Sequence, residues 1–271
     1  MTGFGERLRA AVDARGSLCV GIDPHQHLLE RWRLADDAAG ARELGLRTVE
    51  AASGKAAAVK PQIAFFERHG AAGYAALEEV LAAARAVDVL VVADVKRGDM
   101  ATSVDAYAEA WLTHGSTLEV DAMTISAFQG VGSIAGPIAR AVAADKGLFV
   151  LCATSNPEAR AIQRARLADG RTVARAIADD VASAGEVGDR VRPLGLVVGA
   201  TVDMADFELA LDERTPVLMP GFGVQGARLE DLRSRATWGG PVLASASRSL
   251  LEAGTEGIAD AIAAAAAMLA R

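Results

Sequence analysis

Two cysteines in 271 residues are too few for a disulfide scaffold. Cys19 and Cys152 both sit in apolar runs flanked by Leu and Val, the pattern of buried thiols in a reducing compartment. No Cys/His spacing matches a zinc site, so no metal is expected. Basic charge is also short. Lys and Arg number 28 against 35 Asp and Glu, giving a net charge of -7, and no basic stripe is interleaved with aromatics. That excludes an ordinary nucleic-acid-binding surface and leaves only local basic residues to meet an anionic small ligand. Long apolar runs are missing too. The Ala-rich stretch from Ala259 to Ala270 is interrupted by Asp260 and is too short to span a bilayer. Met1 to Arg7 lacks the apolar core of a signal segment. The expectation is a soluble, cytoplasmic protein with no membrane partner.

What is present is apolar and rich in alanine: hydrophobic residues make up 51% of the chain, which suits a helix-rich globular protein. Eight short runs of β-forming residues alternate with helical patterns. The strands read as 17–24, 56–66, 89–97, 118–126, 147–157, 194–201, 216–226 and 241–249. The helices between them read as 36–52, 67–87, 103–112, 133–144, 172–184, 203–211, 228–235 and 250–271, with 28–32 a loop or short helix. A further helix, Phe4 to Ala14, precedes the first strand. The alternation predicts a (β/α)8 barrel of the TIM type with an extra N-terminal helix. No linker or shift in composition divides residues 1–271, so one barrel domain is expected. The charged stretch from Asn156 to Arg171 reads as a surface insertion.

The chain is organised around Val89-Leu-Val-Val-Ala-Asp94-Val-Lys96-Arg-Gly98-Asp99. It opens as a doubly apolar strand and turns charged without a break. Residues two apart share a face of a strand, so Asp94 and Lys96 should point together, with Gly98 bending the chain after them. Charges at the end of a buried strand are costly unless paired. They could form a structural ion-pair cluster or a site, because ligands of such barrels collect at the carboxyl ends of the strands. Those ends supply Asp23, Lys60, Asp94, Lys96, Ser126, Thr154, Ser155, Gln225 and Arg248. Lys60 interrupts an apolar run and should either snorkel to solvent or join Asp94, Lys96 and Asp99. The glycine-rich loop after strand seven and Arg248 after strand eight suit a phosphate, though Arg248 could be a surface arginine and Gln225 an ordinary loop residue.

These residues occur in Gly21-Ile-Asp23, Val59-Lys60-Pro61, Asp94-Val-Lys96-Arg-Gly-Asp99, Thr154-Ser155-Asn156-Pro157, Pro220-Gly-Phe-Gly-Val-Gln225-Gly226 and Ser247-Arg248-Ser249. Together, over nearly the whole chain, they resemble the orotidine 5'-phosphate decarboxylase family, in its longer bacterial subgroup. The resemblance implies a homodimer that converts orotidine 5'-phosphate to uridine 5'-phosphate without a cofactor, the last step of pyrimidine synthesis. Lys96 would protonate C6 and Asp94 would sit beside the departing carboxylate. Asp99 would cross into the neighbouring subunit and complete an array with Lys60, Asp94 and Lys96. Asp23 and Lys60 would hold the ribose, Ser155 the pyrimidine edge, and Gln225 and Arg248 the phosphate, with Ser103 and Pro220 also among the substrate-binding residues. Ser103 stands where the family usually has Thr and keeps the hydroxyl. Ser247 stands where it often has Gly. Three other readings use the same barrel: a metal-dependent sugar-phosphate decarboxylase, a Schiff-base aldolase and a non-catalytic phosphosugar binder. An ammonium at Lys60 argues against the metal. His25 and His27 follow the first strand and receive no role.

Overall fold

The computed structural model describes residues 3–270. Eight parallel strands close into a barrel in sequence order. They are β1 (Leu18–Ile22), β2 (Ala58–Pro61), β3 (Leu90–Arg97), β4 (Ala122–Ile125), β5 (Gly147–Ala153), β6 (Leu194–Val198), β7 (Val217–Pro220) and β8 (Val242–Ala246). The last joins the first through Leu18↔Ala244, Cys19↔Ser245 and Val20↔Ala246. Outside the ring run α1 (Phe4–Arg15), α2 (Gln26–Arg31), α3 (Ala38–Ala52), α4 (Ala64–Glu67), α5 (Gly70–Ala86), α6 (Ala101–Leu112), α7 (Ala135–Ala143), α8 (Ala159–Gln163), α9 (Val173–Ala184), α10 (Leu232–Arg235), α11 (Arg248–Leu251) and α12 (Gly254–Leu269).

Period-two alternation sorts the strand residues into two cores. One face packs against the helices: Val20, Val91, Ala93, Val217 and Met219 belong to that outer shell. The other face fills the barrel with Cys19, Ala58, Leu90, Val92, Ala122, Phe149, Val197, Leu218 and Leu243. Helix α1 seals the floor of this interior with Phe4, Leu8, Ala11 and Val12. The Phe4 ring meets Phe149 edge-on at 6.0 Å. Carried two residues further along the inward face, the same alternation sets Lys60 above Ala58 and Asp94 above Val92. A charged layer thus rests on an apolar one.

Several predicted bounds change. The fourth strand is only Ala122–Ile125, because the polar residues before it serve the floor: Asp121 pairs with Arg7 and Glu119 with Lys146. The fifth strand ends at Ala153. The expected helix from Glu67 begins anew at Gly70, and the closing helix is split at Gly254, both glycines lying at positive φ. Residues 203–211 contain only a 3-10 turn, Met204–Phe207. A 3-10 turn, Leu229–Asp231, likewise precedes α10. Residues 26–31 are a true helix. Asp37 is the cap of α3, its carboxylate accepting from the Gly40 amide at 2.8 Å.

Candidate active site

A cavity of about 700 Å³ opens at the carboxyl ends of the strands. Its floor is the charged layer. Asp94 is 8% exposed and Lys60 5%. Lys60 Nζ donates to Asp94 Oδ2 at 2.7 Å. Lys96 Nζ donates to Oδ1 at 2.6 Å, and Thr124 Oγ1 donates to the same oxygen at 2.9 Å. With its NH2 group facing these acceptors, Gln62 adds bonds to the Asp94 carbonyl at 2.7 Å and to Oδ2 at 3.3 Å. An ionised carboxylate offers about four acceptor sites, and all four are taken. Burial alone would raise the carboxyl of Asp94, but the two ammonium groups outweigh it and hold Asp94 well below the usual range. Burial would likewise lower Lys60, but Asp94 and Asp23 raise it above its ordinary value.

The two lysines differ in freedom. The Lys60 side chain is 7% exposed and that of Lys96 45%. One ammonium is locked in the floor and the other faces the cavity. Lys96 shares the cavity side with Asp94, as period two along the strand predicts, but it gets there through an irregular backbone. The pairing of β3 with β4 shifts register between Ala93 and Arg97, and Lys96 has φ 45°, a left-handed backbone that is uncommon without glycine. Its amide donates to Thr124 Oγ1 at 3.0 Å, so one hydroxyl steadies both the bulge and Asp94. Gly98 serves close approach rather than a bend. A Cβ there would lie 2.8 Å from the Ser126 carbonyl.

The opposite wall comes from the ends of β7 and β8. Pro220, Gln225, Ser247 and Arg248 all line the cavity. Gly223, at φ 85°, carries the loop against the start of α11, and a Cβ there would meet Ser249 Oγ at 2.5 Å. The Ser247 hydroxyl and Asp23 Oδ1 are buried without partners. Buried polar atoms are rarely left unsatisfied, and both belong to residues that line the cavity. Cys152 also reaches it, but burial pushes its thiol up to about 12, as it does for Cys19, so neither is a nucleophile at neutral pH.

Of the residues singled out in the sequence, Asp23, Lys60, Asp94, Lys96, Ser155, Pro220, Gln225 and Arg248 surround one cavity. Asp99 and Ser103 do not line it in this chain. Asp99 Oδ1 accepts from the Met100 amide at 2.8 Å, and Ser103 is exposed on the first turn of α6. The segment after Asn156 is not merely a surface insertion, since α8 supplies Ala159, Ile162 and Gln163 to the cavity wall. Gln62 and Thr124 went unnoticed in the sequence. Thr124 could have been found, because it shares the inward face of β4 with Ala122. His25 stays outside the cavity, packed on Phe65 at 4.2 Å between ring centroids.

The geometry has close parallels. A profile of the orotidine 5'-phosphate decarboxylase / HUMPS family matches residues 16–261. Orotidine 5'-phosphate decarboxylase of Salinispora tropica is 47% identical over 96% of this chain and 93% of its own length. That of Nocardioides sp. is 45% identical over 93% and 92%. A Streptomyces avermitilis crystal structure, provisionally named as the same decarboxylase, superposes with a TM-score of 0.94 at 41% identity, covering 99% of this chain and 95% of that one. The Leishmania donovani OMP decarboxylase structure superposes with a TM-score of 0.72 at 33% identity, covering 98% and 99%.

Proposed function

The chain belongs to the orotidine 5'-phosphate decarboxylase / HUMPS family, and from that premise we propose how its barrel mouth turns orotidine 5'-phosphate into uridine 5'-phosphate. The observation that carries the reading is the Lys96 ammonium, held 2.6 Å from Asp94 and facing the cavity. The bond from C6 to the carboxylate breaks, its electron pair stays on C6, and carbon dioxide departs. A proton from Lys96 Nζ then bonds to C6, and solvent restores the proton to the lysine. The ring delocalises that electron pair poorly, so stabilisation has to come from a fixed positive charge already in place. Asp94 pairs with Lys96 and aims it. Its own charge lies beside the departing carboxylate.

Asp23 and Lys60 bind the ribose hydroxyls. The unpartnered Oδ1 of Asp23 supports this, as an acceptor awaiting a donor. Ser155 meets the base, and Pro220, Gln225 and Arg248 take the phosphate. The working unit is a homodimer in the cytoplasm, each chain a single barrel domain over residues 1–271. In it Asp99 and Ser103 are contributed to the partner's cavity, which agrees with their lying outside their own. No helix of the described residues is long and apolar enough to cross a membrane. A metal-dependent reaction on a sugar phosphate fits this donor set less well. The four acceptor sites of Asp94 already receive protein donors, and the Lys60 ammonium would repel a cation.

Absorbance of orotidine 5'-phosphate mixed with the purified protein tests this. Decay to the uridine 5'-phosphate spectrum is expected with no added metal and equally with chelator. Lys96→Ala should slow it by at least about a thousand-fold while the protein stays folded. No decay in folded, unmodified protein overturns the reading.

A further inference from the structure

The segment between β5 and α9 carries a clamp that the proposed roles do not use. Gln163, the last residue of α8, gives its whole side-chain amide to Thr154. Its Oε1 accepts from the Thr154 amide at 2.9 Å, and its Nε2 donates to Thr154 Oγ1 at 3.0 Å. Thr154 in turn donates from Oγ1 to Asn156 Oδ1 at 2.7 Å. A chain of hydrogen bonds therefore brackets Ser155 on both sides without touching its hydroxyl. From the other direction Ser155 rests on Gly199, where a Cβ would lie 3.1 Å from the Ser155 nitrogen. Ser155 is held between a polar clip and a bare backbone, and it faces the cavity. The loop that carries it has no ladder partner to fix it, because β5 ends at Ala153.

We propose that Gln163 is a positioning residue for recognition of the base: by gripping Thr154 through both amide atoms it sets where Ser155 presents its donor and acceptor to a planar pyrimidine. This rests on the reading of the cavity as a pyrimidine nucleotide site. A pre-set polar group recognises a base edge well only if it does not have to be ordered on binding. Gln163 does that ordering in advance through Thr154, nine residues back along the chain. The phosphate side, built by β7 and β8, is independent of it.

Two variants test the proposal, Gln163→Leu, which keeps the size and removes both bonds, and Gln163→Glu, which keeps an acceptor for the Thr154 amide. Hydrogen exchange on the unliganded protein should show the amides of 154–156 exchanging faster in Gln163→Leu, with Gln163→Glu between it and the unmodified protein. Calorimetry should show uridine 5'-phosphate binding weakened about ten-fold in Gln163→Leu, the scale of one or two lost hydrogen bonds, while ribose 5-phosphate binds as before. KM for orotidine 5'-phosphate should rise with that loss more than kcat falls. Unchanged exchange at 154–156 overturns the clamp. Equal loss of uridine 5'-phosphate and ribose 5-phosphate overturns its selectivity for the base. If the unmodified protein binds no uridine 5'-phosphate, the nucleotide reading fails and base recognition with it, whereas the exchange result still decides whether the clamp exists.

Discussion

At the amino ends of the strands the barrel is filled and its buried cations are met by carboxylates. Phe4, Leu8 and Val12 close the interior. Lys146, whose side chain is 7% exposed, pairs with Glu119 at 2.8 Å, and Arg192 pairs with Asp212 at 2.6 Å. Burial would raise Glu119, but Lys146, the Gly115 amide and His114 bring it down to about 2. At the carboxyl ends the same strands are arranged otherwise. Two ammonium groups share one carboxylate, two buried oxygens lack partners, and a lysine adopts a backbone conformation that suits glycine. A cavity replaces the plug. Conserving free energy explains the first end and not the second. A cavity lined by unpartnered oxygens, with a positive-φ lysine facing into it, at the open end of a well-packed barrel is what a binding site looks like before its ligand arrives.

If that contrast is right, the two ends should separate stability from chemistry. The largest effect on folding should come from the floor. Phe4→Ala removes the plug's ring and should cost about 3–5 kcal/mol in denaturant unfolding, with kcat and KM for the decarboxylation unchanged at a temperature where the variant is folded. A parallel loss of kcat would break the contrast. Next, Lys60→Met strips one cation from Asp94 in the charged layer and should cost about 3 kcal/mol. Adding Asp94→Leu to it should recover the stability to within about 1 kcal/mol of the unmodified protein, or exceed it, since apolar replacement of a buried ion pair is often neutral or better. That double variant should remain inactive. If it keeps activity, the charged layer is structural after all.

The smallest effect is that of pH. The carboxyl of Asp94 lies below its ordinary value in the folded chain. Its contribution is therefore complete above the unfolded value of about 4 and lost as pH falls through that range toward the folded value. Lys60 lies above its ordinary value, so its contribution is complete below about 10 and lost only as pH rises beyond it. The stability difference between the unmodified protein and the Lys60→Met/Asp94→Leu variant should stay flat from pH 5 to 9, then move in the variant's favour in acid. A slope inside that plateau would assign the titration to other groups.

Period two along each strand made much of this visible beforehand. It carried the barrel, the buried thiols, and the inward placement of Lys60 and Asp94. It also carried Lys96 to the same side as Asp94, but it did not show the register shift and positive φ through which Lys96 gets there, because backbone irregularity leaves no mark in a hydrophobic pattern. Gln62 and Gln163 were invisible for another reason. Their partners, Asp94 and Thr154, are chosen by the path of a loop, and an amide has no charge or periodicity to announce it. The short fourth strand escaped notice because Leu118 and Val120 look like strand residues while their neighbours serve the floor.

One consequence of the closure of β8 onto β1 concerns time. Leu18 is synthesised well over two hundred residues before its partner Ala244. At ordinary rates of translation the first strand waits on the order of ten to forty seconds for that neighbour. Throughout, its edge is open and the ring it will complete is a curved, unfinished sheet. The barrel therefore has no cooperative native state until β8 has left the ribosome. What protects it during that interval is the local pairing of each new strand with the one before it.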